Sequence, residues 1–469
     1  MEPYDVLVVG AGAAGVAAAI EAGRRGARVG LIDDAAEPGG TAAVSGGGVL
    51  VAGSAIQARE GIDDNPQLAL EDWIAWGGES VDVAWANRYV EASVAEVYDW
   101  LGNLGVRWTH VQPQEGNRVP RWHAPAGGGE AMMETLVNAA QADPKIAWHP
   151  ETRLISIDLS GGRVAGIEAA TPSGSIVLHA PVVIIATGGF NNSLALVRRY
   201  APNLPERVLL GGGVGARGDG QTILEAAGAE LVNLDAIWTY PYATPDYLDP
   251  TGERGLVVRR LEGEIWVNHA GQRFHNEDRR GGGTGAPALL AQPGATCWSV
   301  IDTSIAAGYI ISDPRYRHGN TTHRDRLWTL LEESPFVARG ETLEALADAA
   351  GLDRQAFIET VECHNGQLAL GLDEDPAFGR RLRGLRPIAE GPFYAIQFFP
   401  LVRKNLGGVR TDLAGRVLRP SGDAIEGLLA AGEVAGMAGG RINGRAALEG
   451  TALGPSLYSG RIAGRTAVS

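Results

Sequence analysis

Apolar and polar positions alternate between two regimes along the chain. Val6-Leu7-Val8-Val9 is a short apolar run that stops at Gly10-Ala11-Gly12-Ala13-Ala14-Gly15. Alanine-rich sequence with helical spacing continues to Arg25, and a second apolar run covers Arg28–Ile32. Runs of that length, joined by a glycine-rich turn and an apolar helix, predict a strand, a helix and a second strand. From Pro66 to Leu104 the spacing predicts a long helical stretch whose Trp73, Trp76, Trp85 and Trp100 sit on buried faces. Between Thr152 and Ile185 short alternating segments, broken by Gly161-Gly162 and Pro172-Ser173-Gly174, read as hairpins leading into the apolar strand Val182–Ala186. From about Leu234 to Leu385 prolines, aromatics and charges increase, and amphipathic helices are predicted near Leu343–Ala350 and Arg354–Leu370. Glycine clusters return after Leu385 and run to the C-terminus.

This order predicts an α/β protein. Residues 1–233 and 386–469 are expected to build one Rossmann-like dinucleotide-binding domain, with an α+β capping domain inserted at 234–385. A chain of 469 residues with 45% hydrophobic content and 66 glycines can bury a large core. Its net charge of −15 argues against nucleic acid, which is held by clustered Lys and Arg. Cys297 and Cys363 are far apart, so electrons are expected to reside on a bound group rather than on a dithiol or an iron–sulfur cluster. No apolar run reaches bilayer length and no leader pattern precedes Val6, so the expectation is a cytoplasmic protein without membrane insertion. Arg315, Arg317, Arg324 and Arg326 read as a solvated loop, His123 as a structural histidine, and His318 and His323 lack acids at ligand spacing, so no metal is expected.

The chemistry starts at Gly10-x-Gly12-x-x-Gly15. The first glycine permits a tight turn, the second lets backbone approach a pyrophosphate, and the third allows close packing of helix on strand. Ala13 and Ala14 then present helix-end amides to phosphate. Asp33, with Asp34 beside it, ends the second strand where a carboxylate can accept from ribose hydroxyls and repel a 2′-phosphate. Gly39-Gly40-Thr41-Ala42-Ala43-Val44-Ser45-Gly46-Gly47-Gly48 is a second loop open enough to lie against a flat ring and a diphosphate, with Thr41 and Ser45 as candidate donors.

With IIATGGF at Ile184–Phe190, GDGQTI at Gly218–Ile223, VNHAGQRFHNE at Val267–Glu277 and GLLAAGEVAG at Gly427–Gly436, the chain resembles the fumarate reductase and 3-ketosteroid dehydrogenase flavoproteins over nearly its whole length. The resemblance implies a glutathione-reductase-like FAD domain. It places Gly40, Thr41, Ala42, Ser45, Gly46 and Gly47 on the cofactor, Leu154 against adenine, and Ala186, Thr187 and Gly188 beside FAD with Asp219 close by. It also puts Gly432 and Glu433 at the ribityl chain, and points the start of a final helix, Gly450, Thr451, Ala452 and Leu453, at the pyrimidine carbonyl. Members with covalent FAD carry a histidine in the second glycine loop; residues 39–48 have none, so non-covalent FAD is expected.

A flavin that exchanges hydride at carbon needs a partner for the neighbouring proton and a cation or donor for developing charge. The fumarate reductases use an arginine downstream of RFxNE, and Arg279 or Arg280 stands near that place. The first family histidine is replaced by Tyr240 in Trp238-Thr239-Tyr240-Pro241, and the second is absent from Arg403-Lys404-Asn405-Leu406. Arg445 is the candidate substrate-facing arginine of the C-terminal segment, where Asn443 is near the position of a ketosteroid dehydrogenase tyrosine. These changes favour a desaturase that forms a C=C bond beside the ketone of a cyclic substrate and passes electrons to a further acceptor. A reductase of unsaturated acids and a non-catalytic flavin-binding module remain the alternatives.

Overall fold

The computed structural model describes residues 3–259, 262–318 and 321–469, with His318, Thr321 and Thr322 by backbone alone. The expectation for the His318 side chain thus falls outside the described residues. Contacts divide the chain into two units: the first is 1–202, 212–238 and 404–469, the second 203–211 and 239–403. The chain opens with β1 (Val6–Val9), α1 (Ala13–Arg24), β2 (Val29–Ile32), β3 (Ile146–His149), β4 (Arg153–Ser160), β5 (Arg163–Thr171) and β6 (Val182–Ile185). It continues with β7 (Ile237–Pro245), β8 (Gly255–Arg259), β9 (Ile265–Val267), β10 (Cys297–Asp302), β11 (Ile310–Ile311) and β12 (Phe393–Asn405). It closes with β13 (Ala424–Ala430) and α2 (Leu453–Thr466).

The sheet of the first unit runs β3-β2-β1-β6-β13-β5-β4. Its centre is parallel and in register: Val9 lies opposite Ile32 and Ile185, and Ile185 opposite Ala430. β1 and β6 are continuous Val, Leu and Ile runs and β2 is fully buried, because helices and hairpins cover both faces, while β13 is continuously buried only at its end, Leu428–Ala430, with Glu426 exposed. Helices α1 and α2, from opposite ends of the chain, pack at very short range. A Cβ at Gly460 or Gly464 would run into the Ala14 or Ala18 carbonyl oxygen. Beside that contact Arg461 and Arg465 both reach the buried Glu21, Arg461 at 2.5 Å. Burial alone would raise the Glu21 carboxyl, but the two guanidiniums hold it below the usual range.

The long helical stretch expected over Pro66–Leu104 is interrupted. It forms separate helices at Pro66–Gly77 and Val83–Ala92, then a wide turn at Ser93–Tyr98 before Asp99–Leu104. Gly77 and Gly78 end the first helix, and Asp82 caps the next by accepting from the Trp85 amide. Trp73, Trp85 and Trp100 are buried and Trp76 is half-buried. His123 is fully buried between the Ser54 hydroxyl, 2.6 Å away, and the Arg121 carbonyl, 2.8 Å away. Desolvation lowers it to about 4, so the ring is a neutral structural group.

In the second unit the sheet runs β9-β10-β12-β7-β8-β11. The strand β12 is its spine, pairing with β10 from Cys297 opposite Phe398 to Asp302 opposite Phe393. The second unit therefore extends to Arg403, past the Leu385 at which the glycine pattern places the capping domain's end, because a strand cannot leave the sheet it pairs with. Helices lie at Leu343–Ala350 and Arg354–Ala369. Arg315 departs from the expected solvated loop: it pairs with the buried Asp246 and, at 3.0 Å, with Asp313. Arg324 and Arg326 belong to the helix Arg324–Glu333. Among the described residues no helix is long and apolar enough to cross a membrane.

The buried Arg121 of the first unit is held at 2.7 Å by Asp64 and at 2.5 Å by Asp72. Burial by itself raises the Asp72 carboxyl, yet hydrogen bonds from Arg121 and Arg118 bring it below its ordinary value. Arg121→Met would take from two desolvated acids the cation they share, leaving Asp64 to Gln57 and Asp72 to Arg118, and thermal unfolding is expected to register a loss of about 3–5 kcal/mol. The wild-type contribution, present above the unfolded carboxylate range, disappears as pH falls through the depressed Asp72 value; a variant as stable as wild type would show that the cluster is inert.

Candidate active site

Because β1, β2, β6 and β13 are parallel and level, the turns that follow them emerge at one edge of the sheet. These turns hold Gly10–Gly15, Asp33–Asp34, Ala186–Gly189 and Ala431–Glu433. This is the edge where open α/β sheets bind ligands. The backbone ties the turns together: the Gly10 amide donates to Ile32, the Ala186 amide to Val9, and the Ala431 amide to Ile185. Gly10 has a φ of +105°, and a Cβ there would meet the Ala186 carbonyl oxygen. Asp33 takes the Ala11 amide on one carboxylate oxygen at 2.6 Å and the Ala35 amide on the other at 2.9 Å. Burial pushes its carboxyl up against those two hydrogen bonds, and Asp34 alongside adds to the rise.

The edge has the features a dinucleotide requires. Helix α1 is buried along almost its whole length, yet its N-cap Gly12 offers no side-chain cap, and a Cβ on Gly12 would meet nothing within 4 Å. Buried helix ends need acceptors, and an uncapped positive end facing open space suits a diphosphate. Gly188 likewise borders open space. The buried Thr187 hydroxyl has no hydrogen-bond partner among the described residues. The start of α2, with Ala452 at the N-cap and Leu453 following, has no side-chain cap either. The residues present therefore fit FAD.

The expected contact residues also have partners within the chain. The Ser45 hydroxyl is used inside the second glycine loop: it donates to the Ala42 carbonyl at 2.8 Å and accepts from the Gly47 amide at 3.0 Å. Gly40, Thr41 and Ala42 form a short helical turn, and Gly46 packs on Trp122. Leu154 is buried in the core formed with Tyr4, Leu7 and Ile32. Asp34 is ion-paired to Arg217, which also reaches Asp219 at 3.2 Å, and Asp219 pairs with Arg153 at 3.3 Å. Glu433 accepts from the Asn405 backbone amide at 2.9 Å and from the Asn191 side chain at 3.2 Å, while the Asn405 side-chain Oδ1 takes the Phe190 amide at 2.6 Å. Thr451 is buried, bonded to Leu448 and to Asn443, and Gly450 sits against the Leu50 backbone.

The sequence reading missed the segment 212–218. A Cβ on Gly213 would strike the Thr41 hydroxyl, the Ala216 carbonyl accepts from the Asn192 amide, and Arg217 reaches Asp34. One glycine-rich segment thus joins three turns of the binding edge. Only the clustering of glycines hinted at it. Asn191 and Asn405, which brace Glu433, carried no motif at all.

The proton-handling candidates divide between the units. Arg445, in the first unit, is exposed and paired with Asp235 at 2.9 Å. In the second unit, RFHNE forms a clamp: Arg273 grips Glu277 bidentately at 2.7 and 2.6 Å, and Asp375 takes its other face. Arg279 is exposed, and Arg280 is half-buried with a nitrogen 3.4 Å from the fully buried Glu264. Burial pushes Glu264 up to about 7, with Arg280 and Arg380 restraining the rise. Tyr240 on β7 is buried, its ring stacked on Tyr242 with centroids 5.2 Å apart. Among the described residues no cluster of His, Cys, Asp or Glu is arranged to hold a metal.

Comparison with known proteins accords with this geometry. The chain matches the FAD binding domain family over residues 5–453. It belongs to that family. It is 30% identical to a KsdD-like steroid dehydrogenase of Mycobacterium tuberculosis, covering 99% of this chain and 95% of that protein. Among solved structures, the open conformation of a flavocytochrome c3 fumarate reductase superposes with a TM-score of 0.79 at 28% identity, covering all of this chain and 78% of the other. A 3-ketosteroid Δ4-(5α)-dehydrogenase from Rhodococcus jostii, solved with 4-androstene-3,17-dione, gives 0.75 at 28% identity, covering all of this chain and 97% of the other. This family member is an FAD-dependent oxidoreductase acting on CH–CH bonds.

Two measurements probe the site. Arg217→Ala removes a cation shared by two partly exposed acids, pairs worth together about 1 kcal/mol; FAD release, followed by flavin fluorescence, is expected to quicken roughly fivefold at low salt and to lose its salt dependence. Glu264 has a raised folded value, so its stabilising neutral form is complete below the unfolded carboxyl range and is lost as pH rises through about 7. The thermal midpoint should accordingly drop between about pH 5 and pH 8 by an amount equivalent to roughly 3 kcal/mol, and Glu264→Gln should flatten that slope; an unchanged slope would remove Glu264 from the account.

Proposed function

We propose that this oxidoreductase is a ketone desaturase, introducing a C=C bond beside the carbonyl of a cyclic substrate, with Tyr240 handling the proton. The observation that carries this reading is the setting of Tyr240. It is a buried phenol on an internal strand, stacked on a second phenol with the Arg259 guanidinium over both rings. Bound FAD, held without a covalent link, supplies the acceptor for the hydride that leaves the β-carbon. The chain's part is to take the α-proton and to polarise the carbonyl, and a phenol can do either.

The arginines support the same choice. Arg280 has Glu264 for a partner, and Arg445 has Asp235, so neither cation stands ready to clamp a dicarboxylate. The kinship with proteins named for steroid dehydrogenation adds weight toward a hydrophobic ring substrate, and a single carboxylate on that ring is compatible with the exposed Arg279. One observation favours the reverse chemistry. Arg280 with Glu264, an acid raised to about 7 by burial, behind it is an arrangement that can deliver a proton to an unsaturated acid.

Anaerobic mixing separates the two. Bleaching of the oxidised flavin by a 3-ketosteroid or a cyclohexanone supports desaturation; failure to bleach, together with reoxidation of the reduced enzyme by an enoate, supports the reductase. Tyr240→Phe is expected to slow ketone-dependent bleaching by roughly 10²–10⁴-fold with the flavin still bound, and undiminished turnover would remove Tyr240 from the mechanism.

A further inference from the structure

We propose that Arg217, carried on the glycine-rich segment 212–218, takes the flat face of the adenine of FAD and selects for the adenosine half of the cofactor. The inference stands on the fit of the site to FAD and does not depend on the desaturase reading. Asp34, Arg217, Asp219 and Arg153, all of the first unit, form a chain of ion pairs at the end of β2. The Arg217 guanidinium pairs with Asp34 and, at 3.2 Å, with Asp219, and Asp219 pairs with Arg153 at 3.3 Å. Backbone closes this chain into a ring, because Arg153 follows Thr152, whose amide donates to the Asp33 carbonyl at 2.7 Å. One residue earlier the Glu151 amide donates to the Ala35 carbonyl at 3.1 Å. The turn after β2 and the start of β4 are thus joined on one side by peptide hydrogen bonds and on the other by charged side chains.

The place and the charge of this ring decide its occupant. In dinucleotide folds the acid that ends the second strand accepts from the ribose beside the base, and here that acid is Asp33. The diphosphate goes to the uncapped start of α1. With the ribose at Asp33, the next group outward is the adenine, and it meets the ring. Asp34 and Asp219 balance Arg153 and Arg217, so the ring offers no surplus charge to a further phosphate and suits a neutral, flat heterocycle. None of these side chains is buried, which leaves the ring on an accessible face. Both acids take the Nη2 corner of Arg217. Hydrogen bonds to a guanidinium run in its plane and leave its faces to a flat partner, a role in which guanidiniums meet nucleobases.

The segment that carries Arg217 is tied down on both sides of it. A Cβ on Gly213 would strike the Thr41 hydroxyl, the Ala216 carbonyl accepts from the Asn192 amide at 2.9 Å, and the Gly218 amide donates to the Gly189 carbonyl at 3.1 Å. Gly218, at a φ of +82°, turns the chain directly into the helix Asp219–Ala226, which brings Arg217 and Asp219 onto one side of that turn. A side chain anchored this way loses little freedom when a ligand arrives. The consequence is a division of labour within FAD. ADP contains the adenosine and the diphosphate and engages Arg217 without a flavin; FMN ends at its phosphate and gives Arg217 nothing to face.

The test titrates the full-length protein with FAD, ADP and FMN at low salt, after FAD has been stripped and circular dichroism has shown the fold to be kept. Wild type is compared with Arg217→Ala and Arg217→Lys. FAD and ADP are each expected to bind about fivefold more weakly to Arg217→Ala. Both should bind about threefold more weakly to Arg217→Lys, which keeps the charge and loses the flat face. FMN is expected to bind all three proteins alike. Wild-type ADP affinity in Arg217→Ala would overturn the inference. So would wild-type FAD and ADP affinity in Arg217→Lys, which would leave a role for charge alone, and so would a loss of FMN binding equal to the loss of FAD, which would make Arg217 a prop of its own segment. Should Arg217→Ala fail to refold, FAD release from the unstripped Arg217→Lys holoenzyme decides. Release about threefold faster than from wild type at low salt supports the contact with adenine, and an unchanged rate sinks it.

Discussion

The level register of β1, β2, β6 and β13 is the constraint on which the cofactor edge depends. Four parallel strands ending together deliver four turns to one line, although those turns are as far apart in sequence as Gly10 and Glu433. A one-residue slip in any strand would exchange its buried faces and move its turn off that line. The register is held from outside by the close packing of α1 on α2. That packing needs glycine at 460 and 464 and is reinforced by the Glu21, Arg461 and Arg465 cluster. The C-terminal helix is thus part of the same cradle as the N-terminal fingerprint.

Within that frame, polar side chains mostly serve the turns. Asp33 fastens the Ala11 and Ala35 amides, Ser45 closes the second glycine loop on itself, and Glu433 gathers Asn191 and Asn405. Such hydrogen bonds leave the helix ends and the open space at Gly12 and Gly188 for the ligand. Preorganised backbone donors lose little freedom when a diphosphate arrives, which favours tight retention of a flavin without a covalent bond.

The second unit shows the same economy with charge. Arg273 and Arg380 offset Glu277 and Asp375, and Arg254 and Arg315 offset Asp246 and Asp313, so those groups are structural. What stands apart is an acid lifted toward neutrality, Glu264 beside Arg280. Desolvation makes a buried acid costly, and costly arrangements of this kind are characteristic of sites that move protons.

Much of the fold was legible in the sequence, since apolar runs of strand length joined by glycine turns leave few alternatives to a parallel sheet. The fingerprint, the acid after β2 and the later glycine turns could be read because each meets a local backbone requirement. The break near Gly77-Gly78 and the extension of the second unit to Arg403 were not legible: helical spacing does not record where a helix bends, and glycine content does not record strand pairing. The partners of Asp34, Arg280 and Arg445 lie 183, 16 and 210 residues away along the chain, and Arg259 reaches Tyr242 from a neighbouring strand. The sequence alone therefore determined the sheet and the dinucleotide-binding turn from short-range patterns, and the cofactor and the reaction class through the family resemblance its motifs carry. Only the tertiary structure decided which charges are spent on one another and which phenols share a cation, because Coulomb interactions depend on distance and burial in space and leave no period in the chain.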